Sequence, residues 1–140
     1  MKDKSVQKRY EETIREMGLK SAPDLRICAG LQAPMLAGIF RTVLLLPEEP
    51  MEEQSLRHTL LHELSHYRRK DIWLRTLAVL ACAVHWFNPL VWYLRHMLVQ
   101  DTELACDEAL IRYLPKEEYG DYCRTILNSA KKIQSAKEKK

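Results

Sequence analysis

Val6, Tyr10, Ile14 and Met17 recur every three or four positions among lysines, arginines and glutamates. That stripe predicts a surface helix over 5–17, ended by Gly18. From Ala22 the period shortens. Leu25, Ile27 and Ala29 alternate with polar or small neighbours, Met35, Ala37 and Ile39 alternate again, and Val43 to Leu46 is an apolar run closed by Pro47. With Gly30, Pro34 and Gly38 as punctuation, two or three short strands are expected within 22–50. Residues 51–70 then run without glycine, acidic at the start (Glu52, Glu53) and basic at the end (Arg68, Arg69, Lys70). This charge order suits the helix macrodipole and predicts a helix over 51–70.

In residues 72–94 the only formally charged side chain is Arg75, apart from any proton on His85. The composition invites a membrane span, but Asn88-Pro89 offers an N-cap followed by a residue suited to the first helical position, so a new helix starts there. The piece before it, 72–87, would be about 24 Å long at about 1.5 Å per residue, against about 30 Å for a bilayer core. An apolar helical hairpin is therefore expected, buried or dipping into a membrane surface, with Trp73, Trp86, Trp92 and Tyr93 as core or interfacial anchors. Asp71 is expected to cap its first arm. The returning arm runs over 89–113, and Pro115 opens a last helix with Tyr119, Cys123, Ile126, Leu127, Ala130 and Ile133 on one face. A lysine-rich end follows (Lys131, Lys132, Lys137, Lys139, Lys140).

Composition narrows the class. With 140 residues, 46% apolar and 29% charged, the chain suits one globular domain. A net charge of +3 is too small a surplus to point to nucleic acid by itself. Cys28, Cys82, Cys106 and Cys123 contain no C-x-x-C pair, so neither a zinc ribbon nor a thioredoxin-type site is expected, only reduced thiols. The first 18 residues hold no apolar h-region, so no secretory signal is expected, which suits a reducing compartment or a piece cut from a longer chain.

His62-Glu63-Leu64-Ser65-His66 is H-E-x-x-H within the predicted 51–70 helix. Residues four apart project from one face, so both imidazoles can bind one Zn2+, with Glu63 beside them as general base toward an activated water. A catalytic zinc needs a third protein ligand and one open position. His85, His96, Asp101, Glu103, Cys106 and Asp107 are the downstream candidates. If the first arm descends 16 residues (72–87), a returning arm from Pro89 has climbed 15 at Glu103, so that carboxylate comes back level with the H-E-x-x-H helix. Asp107 lies one turn further on the same face, where it could accept from the free ring nitrogen of a ligating histidine. His58 continues the stripe, but about 12 Å separates it from His66, too far to share an ion, and it is expected not to ligate.

Glu-x-x-x-Asp on a later helix resembles gluzincin-type metallopeptidases. The segments 61–71, Trp86-Phe87-Asn88-Pro89-Leu90-Val91-Trp92 and Asp101-Thr102-Glu103-Leu104-Ala105-Cys106-Asp107-Glu108 are similar to the zinc domain of the BlaR/MecR family of bacterial antibiotic-sensor metallopeptidases. Ala33-Pro34-Met35-Leu36-Ala37-Gly38 and Val43 to Pro47 also look like that family's strand region. The resemblance implies His62, His66 and Glu103 as ligands, Glu63 as catalytic base and Asp107 as their outer support. It further implies a bacterial membrane receptor with its zinc domain on the cytoplasmic side, which cuts itself and leads to loss of a transcriptional repressor. Family receptors carry transmembrane helices ahead of this domain and often a penicillin-binding sensor after it; neither is expected within these 140 residues. Its two S-x-x-K matches, at Ser5 and Ser129, lack S-D-N or K-T-G companions, so no β-lactam site is assigned.

The expectation is thus an α+β, mostly helical zincin-like domain over 1–140. It comprises an N-terminal helix (1–20), a small sheet (22–50), an active-site helix with an apolar hairpin (51–113), and a C-terminal helix and basic tail (115–140). Its function would be peptide-bond hydrolysis by a zinc metalloendopeptidase, acting on a peptide or protein, itself or a repressor, with membrane contact through 72–94. A catalytically silent zinc scaffold is the rival reading. Direct nucleic-acid binding through Arg68, Arg69, Lys70 and the tail lysines is not expected.

Overall fold

The computed structural model describes residues 2–138. Lys139 and Lys140, and the side chains of Lys132, Ile133 and Lys137, lie outside the described residues.

The first helix, α1 (Lys2–Glu16), stops where the sequence says it should. Gly18 takes φ 64°, Leu19 N–H donates to Ile14 O and Gly18 N–H to Arg15 O, both at 3.1 Å, which is the Schellman closure that glycine permits. Three strands follow, β1 (Asp24–Cys28), β2 (Met35–Ala37) and β3 (Val43–Pro47), in the order β1-β3-β2. The apolar run forms the central strand, parallel to β1 and antiparallel to β2. Gly38 sets the β2-to-β3 turn: its φ is 89°, and a Cβ there would lie 2.2 Å from Arg41 O, which no side chain tolerates. β2 is left as an edge strand.

α2 (Glu53–Arg69) runs between two cores. Leu56, Leu60 and Leu64 pack against Tyr10 of α1 and Leu44 and Leu46 of β3. On its other side Leu61 meets Cys106, Leu110, Leu114 and Tyr122. Each fully buried leucine contributes about 1.5–3 kcal/mol, so the motif helix is clamped along both faces. Lys70 breaks it in the left-handed region (φ 59°, ψ 34°), and α3 (Asp71–Val84) begins at once. Asp71 is therefore the first residue inside α3 rather than its cap, and it is buried. After a short turn, α4 (Pro89–Tyr113) starts at the expected proline, with Leu90 N–H donating to Asn88 Oδ1 at 3.0 Å.

The chain is mostly helical with a small three-stranded sheet, but it lacks the long apolar hairpin expected of 72–94. α3 is only 14 residues long because the chain already turns at His85, and only the first six residues of α4, Pro89 to Leu94, belong to the apolar stretch. The two helices do pack on each other, burying Cys82. Their outer faces leave Leu77, Val84, Trp86, Phe87, Leu90, Trp92, Tyr93 and Leu94 exposed, so these aromatic side chains are not core. No described helix is long and apolar enough to cross a membrane.

A 3-10 turn (Lys116–Glu118) leads into α5 (Tyr119–Glu138). Its inward face is rotated from the expected one: Tyr122 and Thr125 are buried, whereas Cys123 and Leu127 face solvent. The phenol and hydroxyl find partners inside, which an apolar-periodicity rule cannot register.

Candidate metal centre

Helical spacing puts His62 and His66 one turn apart on α2, with Nε2 atoms 3.2 Å from each other. α4 returns Glu103 so that its Oε2 lies 3.4 Å from both Nε2 atoms. Tetrahedral ligands about 2.0–2.1 Å from zinc stand about 3.3–3.4 Å apart, so the triangle of 3.2, 3.4 and 3.4 Å has the size one ion requires. The chemistry of the donors, two imidazoles and a carboxylate, fits zinc as well.

The outward-facing atoms of this triangle are held in turn. His66 Nδ1–H donates to Asp71 Oδ2 at 2.7 Å. His62 Nδ1 lies 3.0 Å from the Tyr122 hydroxyl and 3.4 Å from Asp107 Oδ1, and Tyr122 donates to Asp107 Oδ1 at 2.6 Å. Arg75 of α3 binds Glu103 Oε1, leaving Oε2 to the histidines. His62, His66 and Cys106 form a second group whose ligand atoms lie within 4.8 Å of one another. The thiol, however, approaches Nδ1 of His62, at 3.9 Å, the nitrogen already engaged by Tyr122. The carboxylate completes the tighter set.

The charges reinforce one another. Hydrogen bonds from His62 and His66 hold the Glu103 carboxyl well below the usual range, against the opposing effect of burial. Burial works to lower both imidazoles, but bonds to Asp107, Cys106 and Glu103 outweigh it at His62. The same balance, with Cys106, Glu103 and Asp71, carries His66 up to about 10. Burial pushes the Glu63 carboxyl up, and the adjacent histidines only partly offset this.

Glu63 lines a cleft of about 430 Å³ together with both histidines, Arg75 and Glu103. Met35 and Leu36 of β2 form one side, and Ile126 and Ser129 of α5 another. A larger hollow, about 860 Å³, lies between α1 and the sheet, away from these groups. His58 is fully buried and its Nε2 pairs with Glu118 Oε2 at 3.3 Å, so it does not point to the triangle. His85, His96 and Asp101 are exposed.

Three participants escaped the sequence reading. Asp71 looked like a cap, and Tyr122 lay off the apolar stripe of its helix. Arg75 had only a partial signal: a lone cation in an apolar stretch needs an acidic partner, and the returning arm offers both Asp101 and Glu103 at about that level.

A sequence model of the family described as BlaR1 peptidase M56 matches residues 1–140. The regulatory protein BlaR1 of Bacillus licheniformis is 34% identical over 99 residues, which are 69% of this chain and 16% of that protein. The methicillin resistance mecR1 protein of Staphylococcus aureus is 29% identical over 102 residues, 71% of this chain and 17% of its own length. The regulatory protein BlaR1 of Staphylococcus aureus is 21% identical over 108 residues, 75% of this chain and 18% of that protein. The matched part is thus under a fifth of these relatives.

Proposed function

Because the chain belongs to the BlaR1 peptidase M56 family, we propose that residues 1–140 form one zinc metalloendopeptidase domain of a membrane-associated bacterial signalling protein. The observation that carries this reading is the triangle of His62 Nε2, His66 Nε2 and Glu103 Oε2, with sides of 3.2 to 3.4 Å. His62, His66 and Glu103 would hold a zinc ion, which would supply Lewis-acid polarisation of a scissile carbonyl and acidify a water. Glu63 takes the proton of the attacking water and passes it to the leaving amine; a carboxyl raised by burial is suited to both halves of that transfer. Asp71 and Asp107 keep the histidine rings oriented, and Arg75 does the same for Glu103.

The substrate is a peptide or protein segment, this chain itself or a transcriptional repressor. Strand β2 is paired on one side only and borders the cleft, so an extended segment can add to its free edge through backbone hydrogen bonds, which tolerate many sequences. The exposed apolar faces of α3 and α4, tipped by Trp86 and Phe87, support seating on the cytoplasmic face of the membrane.

Glu63→Gln tests the proposal. The variant should keep its zinc, while cleavage of the chain itself or of a peptide mixture, followed by mass spectrometry, falls at least about 100-fold. Wild-type protein that holds zinc and cuts nothing, or a variant that cuts as well as wild type, would favour the silent scaffold or a different base.

A further inference from the structure

Resting on the metal-centre reading above, we propose that Tyr122 is a positioning residue for that centre: its phenol fixes the ring of His62 and makes α5 part of the site. Tyr122 is 2% exposed and stands 60 residues beyond His62 in sequence. Its hydroxyl has a single proton, and that proton goes to Asp107 Oδ1, 2.6 Å away, because a carboxylate can only accept. What the oxygen offers His62 Nδ1, at 3.0 Å, is a lone pair, so Nδ1 must carry the ring proton. In the neutral ring, the form that can ligate, Nε2 then holds the lone pair, on the side facing His66 and Glu103. The direct separation of Asp107 Oδ1 from Nδ1 is 3.4 Å, beyond the usual range of an N–H···O bond. Asp107 thus meets His62 by two routes, a longer direct approach and a chain of shorter bonds through the phenol.

The ring of Tyr122 is fixed from behind. It meets buried His58 edge-on, with centroids 5.8 Å apart and planes at 85°. The phenol is thus lodged between the first two histidines of the stripe on α2. The same helix supplies Ile126 and Ser129 to the cleft, across from Met35 and Leu36 of β2. A displacement of α5 that lifts Tyr122 changes both the width of the cleft and the orientation of a ligand. By linkage, an ion that binds better with α5 docked must hold α5 down.

Zinc affinity of the 140-residue chain, measured by competition with a chromophoric chelator, tests this for wild type, Tyr122→Phe, Asp107→Asn and the double variant. Tyr122→Phe keeps the packing on His58 and removes only the hydroxyl; a loss of about 10–100-fold is expected. The double variant should be no more than about threefold weaker than the weaker single one if both act through the shorter chain of bonds. Independent, multiplying losses would assign Asp107's effect to its direct approach and overturn the phenol's role as its link. Hydrogen exchange of wild-type protein supplies a second readout should Tyr122→Phe fail to fold: zinc is expected to slow exchange in residues 119–126 as well as in α2. If wild type takes up no zinc, the metal-centre reading itself fails. If wild type binds zinc while α5 exchange is unchanged, or Tyr122→Phe binds within twofold of wild type, the positioning role is overturned.

Discussion

His66 Nδ1 and Asp71 Oδ2 meet at 2.7 Å across the break between α2 and α3. The left-handed conformation of Lys70 reverses the chain tightly enough for the first residue of α3 to reach back to the helix just ended. Removing that carboxylate by Asp71→Ala frees the ring of His66, and zinc affinity should fall about 10–100-fold. Chelator competition measures it; an unchanged affinity would reduce Asp71 to a packing residue.

The acids around the histidines set opposite pH dependences for zinc binding and for folding. His66 is raised to about 10 and must lose its proton to ligate, so zinc uptake near pH 7 should release protons and tighten with rising pH. In chelator-treated protein the sign reverses. A protonated His66 stabilises the fold fully below its unfolded value of about 6.5, and that contribution is lost as pH climbs through about 10. Glu103, lowered by the same bonds, stabilises above its unfolded value and loses this as pH falls. Denaturation midpoints of chelator-treated protein should therefore drop between pH 7 and 10, while those of zinc-loaded protein hold. Equal slopes for the two would contradict this assignment of charge.

Much of the candidate site's geometry was legible because it rests on regular spacing. Four-residue spacing aligns His62 with His66 whatever else the chain does, and counting residues out and back brings Glu103 level with them. That count survives the early end of α3 at Val84, since the extra turn residues replace the missing part of the arm. Illegible were contacts that depend on side chains breaking a local rule. Asp71 reads as a cap until the left-handed Lys70 displaces it into the helix, and Tyr122 and Thr125 are buried through hydrogen bonds that hydrophobic periodicity does not count. The expected hairpin failed at its end, because His85 to Phe87 form a turn rather than a last helical turn.

Membrane seating has a local test at that turn. Trp86 and Phe87 are 73% and 69% exposed, and each aromatic ring withdrawn from water is worth about 1.5–3 kcal/mol. Replacing both by serine should weaken partitioning onto vesicles of anionic lipid at least about tenfold. A wild-type protein that ignores such vesicles, or a variant that binds them equally, would remove the membrane role of α3 and α4.

The central claim concerns one ion shared by two neighbouring imidazoles and a returning acid, and metal analysis addresses it directly. Wild-type protein purified and equilibrated with zinc should retain close to one ion per chain. Glu103→Ala, with His62 and His66 intact, should bind it more than about 100-fold more weakly, since loss of a ligand exceeds the loss of its outer support. Equal zinc in the two proteins, or none in either, would contradict the account.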